Sequence, residues 1–151
     1  MVQPIEFTNT TPRFGLPFLF TGQSQKEFYV NEAHALTDIL CHTSVLGESS
    51  QAPSDPVDGD SWLVATDATG AWTGQDNAIA NWFGSEWRYV EAQEGMRIFD
   101  SSTGQLMIKR GAWIRPLAPP APTGGQTVDA ELRIVFDQLI EALQNAGIFP
   151  S

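Results

Sequence analysis

From Pro116 to Gly125 the chain reads Pro-Leu-Ala-Pro-Pro-Ala-Pro-Thr-Gly-Gly, with four prolines in its first seven residues. Proline locks φ and has no N–H to donate, so such a run enters neither a helix interior nor a central strand. It forms an extended, semi-rigid spacer, and the glycine pair after it is a hinge. The chain is thereby divided into a β-rich domain with an N-terminal arm and helix in residues 1–117, a linker in 118–126, and a C-terminal oligomerisation helix in 127–151.

The last piece predicts a helix from Val128 to about Ala146. Thr127 can cap it, Asp129 and Glu131 favour its positive end, and Gly147 stands where a left-handed residue closes a helix. Val128, Leu132, Val135, Leu139, Ala142 and Ala146 step by 4, 3, 4, 3 and 4, the spacing of a coiled-coil seam, and Leu143 and Ile140 widen the stripe. At ~1.5 Å per residue the helix is roughly 28 Å long. An isolated helix of that size is marginal in water, so something must cover the stripe. Two covers are open: the helix folds back over its own domain, or it meets copies of itself. The spacer, which holds the helix away from the domain, favours self-association in a bundle of three or more.

Ahead of the spacer, residues 1–23 carry Pro4, Pro12 and Pro17 and read as extended chain. Phe14, Leu16, Phe18, Leu19 and Phe20 form an apolar patch that either packs beneath the domain or docks into a partner. A helix is predicted from about residue 25 to 42. Ser24 and Glu27 form a capping box, and Phe28, Ala35 and Ile39, with Leu36 and Leu40, define an apolar face. Cys41 on that helix is expected to be a buried, inert thiol. A Ser/Pro-rich loop follows, and then short strands broken by turns. Ser61–Ala65, Ala78–Phe83, Glu86–Glu91, Met96–Asp100, Gln105–Arg110 and Ala112–Arg115 are the candidates, with Gly84-Ser85 a two-residue hairpin connection. The expected fold is α+β and mainly β: an N-terminal helix, then a small antiparallel sheet, sandwich or barrel, and a separate C-terminal assembly helix.

Charge and motif narrow the function. Lys+Arg number 8 against 18 Asp+Glu, a net charge of −10, which suits neither nucleic-acid phosphates nor anionic lipid. No apolar run approaches the roughly 20 residues of a membrane span, and the N-terminus lacks a signal peptide, so synthesis in the cytoplasm without membrane insertion is expected. His34 and Asp38 are i,i+4 neighbours without a nucleophile, and Asp55 to Asp60 read as a solvated turn rather than a calcium loop. No enzymatic role, cofactor or metal site is expected.

The tryptophans, Trp62, Trp72, Trp82, Trp87 and Trp113, all fall among the strands, three of them soon after a turn. Most are expected in the core, because a buried indole removes more apolar area than other side chains. Trp72 beside Gln75, Asp76 and Asn77 is the candidate for an exposed, sugar-stacking platform.

Thr11-Pro12-Arg13-Phe14-Gly15-Leu16-Pro17, Gly22-Gln23-Ser24-Gln25-Lys26-Glu27 and Asn31-Glu32-Ala33 resemble the opening of a domain of uncharacterised function that recurs in alphaproteobacterial phages and gene-transfer agents. Gly59-Asp60-Ser61-Trp62-Leu63-Val64 and Ala68 to Gly74 resemble its middle, so the likeness runs from residue 11 to about 115. Asp129 to Arg133, running on to Leu143 and Gly147, is similar to the helical endings of phage tail-fibre proteins. The resemblance implies a virion component, a tail fibre or head spike that attaches the particle to host capsular polysaccharide. Its implied partners are copies of itself as a homo-trimer or homo-pentamer, a capsid or tail vertex protein, a fibre protein and the host polysaccharide. Full-length fibres of this kind continue into receptor-binding domains, and the end at Ser151 favours a spike base or adaptor.

Overall fold

A computed structural model of the chain describes residues 9–13, 16–19, 22, 26–121 and 129–150, with the backbone of Phe28 but not its side chain. In order these form helix α1 (Lys26–Leu40), strands β1 (Ser44–Val45), β2 (Glu48–Ser49) and β3 (Ser61–Val64), a 3-10 turn (Gly70–Trp72), strands β4 (Ile79–Phe83), β5 (Glu86–Val90), β6 (Arg97–Asp100), β7 (Gln105–Arg110) and β8 (Ala112–Ile114), and helix α2 (Ala130–Asn145). The fold is α+β and mainly β, as expected.

Two four-stranded sheets are built on one plan: the first runs β1-β6-β7-β8, the second β2-β3-β4-β5. In each, a two-residue strand pairs in parallel with the first strand of an antiparallel three-stranded meander, β1 with β6 and β2 with β3. The sheets are therefore mixed rather than wholly antiparallel. Two residues cannot display a period of two, so β1 and β2 lay unseen in the loop predicted after α1. At the β4–β5 turn Gly84 and Ser85 both have positive φ, 63° and 67°, the backbone that matches strand twist in a two-residue hairpin.

Alternation then sorts the side chains. Leu63, Ile79, Ile98 and Met107 turn inward and meet Val45 and, from α1, Ile39, in a core between the sheets. Each such fully buried chain contributes about 1.5–3 kcal/mol relative to exposure. Val64 and Ala80 turn to the other side of the second sheet, where the loop after β3 brings Ala68 and Trp72 over them. The second sheet is thus covered on both faces. On the outer face of the first sheet, Arg97 and Phe99 remain exposed and Leu106 and Ile108 half-buried.

Helix α1 buries Ala35 and Ile39 as its pattern predicts, but it ends at Leu40, which is exposed. Cys41 therefore falls in the following turn and is exposed, contrary to the expectation of a buried thiol. The expected cap Ser24 lies outside the described residues; the Glu27 carboxylate accepts from the Gly22 N–H at 3.1 Å. The arm folds back on itself: Thr11 N–H donates to Leu16 O and Phe18 N–H to Asn9 O. Arg13 anchors it on the end of α1. Its guanidinium donates to the carbonyls of Asp38 (2.9 Å), Ile39 (3.0 Å) and His42 (2.9 Å), groups that a helix end leaves without intrahelical donors.

Candidate functional site

Helix α2 starts where the Asp129 side chain accepts from the Leu132 N–H at 2.8 Å, so Asp129 is the cap rather than Thr127, which lies outside the described residues. It ends at Gly147, whose φ of +69° is left-handed as expected, and the Ile148 N–H returns to Leu143 O at 2.8 Å. The tail then meets the first sheet. Gly147 O accepts from the Leu106 N–H, and a Cβ at Gly147 would stand 3.4 Å from the Phe99 ring. The helix is pinned at its C-terminal end.

Along its length, no residue of α2 is buried. Leu132 is 65% exposed, Val135 59% and Leu139 52%, and Ala142 and Ala146 are exposed on the same stripe. Leu143, Phe136 and Ile140 are half-buried. Val128, the first residue of the predicted seam, lies outside the described residues. Fold-back of the stripe onto the chain's own sheet is not what the structure has.

The other candidates fare differently. Of the arm residues, Phe14 and Phe20 lie outside the described residues and Leu16 is half-buried. Phe18 is 6% exposed, with its ring centroid 5.7 Å from that of Phe83. Packing beneath the domain accounts for Phe18.

Trp72 corrects the sugar-platform expectation. Its indole is fully buried, 5.1 Å from the Trp87 ring and 6.5 Å from that of Trp62. The polar neighbours that suggested exposure instead hold the loop that buries it. The Asp76 carboxylate accepts from the N–H groups of Asp67 and Ala68, both at 3.1 Å, and the Gln75 N–H donates to Trp72 O. Asn77 sits at φ +65° and its carbonyl accepts from the Trp113 indole at 3.0 Å.

One feature escaped the sequence reading. An open groove of about 490 Å³ runs between the arm, α1 and the β4–β5 hairpin, lined among others by Phe18, Glu27, Asn31, Glu32, Phe83 and Arg88. Arg88 lies 4.9 Å above the Phe83 ring, donates to Phe83 O at 2.6 Å and meets Glu32 at 3.4 Å. The Asn31 amide is spent on the backbone of Leu19, accepting at 2.7 Å and donating at 3.1 Å. The groove's polar lining is made of carboxylates, amides and one guanidinium: Glu27, Glu32, Asn9, Asn31 and Arg88. Glu27, Asn31, Glu32, Phe83 and Arg88 are spread through α1 and two strands, and no local spacing could have joined them.

Among the described residues no cluster of three or more His, Cys, Asp or Glu is placed to hold a metal ion, and no helix is long and apolar enough to cross a membrane.

A model of the family described as "protein of unknown function (DUF2793)" matches residues 30–114, more than half of the 151-residue chain. The chain belongs to that family. The DUF2793 span runs from within α1 to Ile114, the last residue of β8, and so takes in both sheets. Helix α2 lies outside it, as do the Thr11–Pro17 and Gly22–Glu27 strings. Searches of the curated proteins and of the solved structures found no match.

Proposed function

We propose that this chain is a non-catalytic structural component of a phage-like particle, a head-spike or tail-fibre base or adaptor that oligomerises through α2. The observation that carries the assembly part is the helix itself: 16 residues, none buried, with Leu132, Val135 and Leu139 more than half exposed at heptad spacing. Burying one such side chain yields about 1.5–3 kcal/mol, and every added copy multiplies that gain. The particle part is the finer likeness, resting on the Pro-Arg-x-Gly-Leu-Pro and Gly-Gln-x-Gln-Lys-Glu strings, which resemble those of domains in alphaproteobacterial phages and gene-transfer agents.

In this reading the DUF2793 sheets form the rigid body and α2 joins it to its neighbours. A capsid or tail vertex protein and a fibre protein are the partners on either side. The alternative reading, a module that binds host polysaccharide directly, loses its chosen platform with the burial of Trp72.

The test is to raise antibody against the chain and image purified particles from a strain that encodes it. Label at capsid vertices or the tail tip is the expected result. Particles that carry none, with the chain recovered entirely in the soluble lysate, would remove the particle reading.

A further inference from the structure

The outer face of the first sheet is an apolar surface with a basic rim. Register places Arg97 opposite Ile108, Phe99 opposite Leu106, Ile108 opposite Ile114 and Arg110 opposite Ala112, so these side chains share one face. The second sheet hides its corresponding face beneath the Trp72 loop, but here Phe99 is 37% and Ile114 42% exposed. The chain covers one corner of it. Ile148 borders a hollow of about 200 Å³ together with Arg97, Leu106, Ile108 and Pro116.

The face also carries two cations, with the Glu94 carboxylate accepting from the Gly111 N–H at its edge. The chain has eight basic residues against eighteen acidic ones, yet Arg97 and Arg110 both stand here, exposed and without an ion pair among the described residues. Helix α2 is the counterpart, with Glu131, Asp137 and Glu141 against Arg133. Its apolar arc is also wider than a coiled-coil seam. Beside the Leu132–Val135–Leu139 stripe runs a second one, Phe136, Ile140 and Leu143. The second stripe is half-buried within the protomer, and contact between helices along the first stripe leaves its remaining surface to be covered.

We propose that the outer face of the first sheet is the seat for α2 of a second copy of this chain. The inference rests on the reading of α2 as an assembly element, and it names the surface that the helix's second flank meets. Phe136, Ile140 and Leu143 lie over Phe99, Ile108 and Ile114 of the neighbour, with the helix acids toward Arg97 and Arg110. The contact continues the one that the chain's own tail makes at Gly147 and Ile148. Each copy gives a helix and receives one, a head-to-tail contact that forms a ring when the rotation between copies closes.

Full-length chains with Cys41→Ser remove the native thiol. One batch then carries Ile114→Cys and the other Ile140→Cys; the two are mixed and treated with a short bismaleimide, whose reach tolerates small errors of register. The expected product is a linked pair containing one chain of each kind, which is absent when Ser85→Cys replaces Ile114→Cys. Arg97→Glu with Arg110→Glu alters exposed positions only and should weaken association about tenfold with an unchanged circular dichroism spectrum. An oligomer that yields no Ile114–Ile140 link and tolerates both arginine changes overturns the sheet seat and leaves α2 assembly standing. A chain carrying both cysteines that links only within itself overturns the seat in favour of fold-back. A chain that is monomeric throughout overturns the seat and the assembly reading together.

Discussion

The Arg115 guanidinium donates to the Asp100 carboxylate at 3.0 Å and, through its other arm, to Glu48 at 2.6 Å, so one side chain ties β6 of the first sheet to β2 of the second. Asp100 is fully buried. Burial alone would raise its pKa; hydrogen bonds from the Ser102 hydroxyl and from Arg115, the Ser102 N–H and the Arg115 charge outweigh it and hold the carboxyl below its ordinary value.

A pKa depressed in the folded state means stability that is present above the unfolded value and lost as pH falls through the folded one. The chain should therefore lose stability as pH drops below about 4. Urea unfolding at stepped pH checks this, since Asp100→Asn should show a shallower acid slope than the wild type. Arg115→Met leaves the buried carboxylate with Ser102 alone and should cost about 1–3 kcal/mol at pH 7.

Trp72→Ala should be among the most damaging single changes, at about 3–5 kcal/mol, because it empties a fully buried site between Trp62 and Trp87. Trp72→Phe should cost less. The indole N–H has no partner among the described residues, so its loss breaks no hydrogen bond. Denaturant midpoints of both variants measure the difference, and a harmless Trp72→Ala would argue that the loop does not close over this ring.

Arg13→Met should loosen the arm on α1, where the Thr11 hydroxyl still donates to Asp38 at 2.6 Å and the Asn31 amide still holds Leu19. Three carbonyls at the helix end lose their donor, for about 1–2 kcal/mol in a partly exposed setting. Hydrogen exchange should accelerate in the last turn of α1 and in residues 9–18, while β6 and β7 keep their protection.

What was legible in the sequence follows the range over which each signal acts. Leu106/Ile108 against Met107/Lys109 alternate within six residues, and β7 stands where that alternation lies. The 4-3-4-3 spacing is likewise local, and α2 is a helix over Ala130–Asn145 with Gly147 left-handed at its end. Trp72 misled because its neighbours Gln75, Asp76 and Asn77 are polar, while its burial is decided by Trp62 and Trp87 on strands to either side in the chain. Cys41 misled because the helix expected to reach about residue 42 stops at Leu40, one residue before it. Pairing of β1 with β6 joins Ser44 to Phe99, and no pattern in either segment announces it. The same holds for the groove and for the basic rim of the first sheet, both assembled from distant residues.

Gly147→Ala should release the tail without unfolding the sheets. Its φ of +69° disfavours a side chain, for about 1 kcal/mol, while the added Cβ would make ordinary contact with the Phe99 ring and Gly104 O. Limited chymotrypsin digestion should cut at Phe149 and Phe136 faster in the variant, with little change in the global unfolding midpoint.

Light scattering on the full-length chain across a concentration series tests the central claim, that α2 stays dry by meeting copies of this chain. The account predicts a mass that is a multiple of 16.5 kDa, reduced to the single value by Leu132→Asp with Val135→Asp and Leu139→Asp, three changes at exposed positions that leave the sheets folded. A wild-type chain of 16.5 kDa at every concentration, or an oligomer indifferent to the three charges, would contradict it.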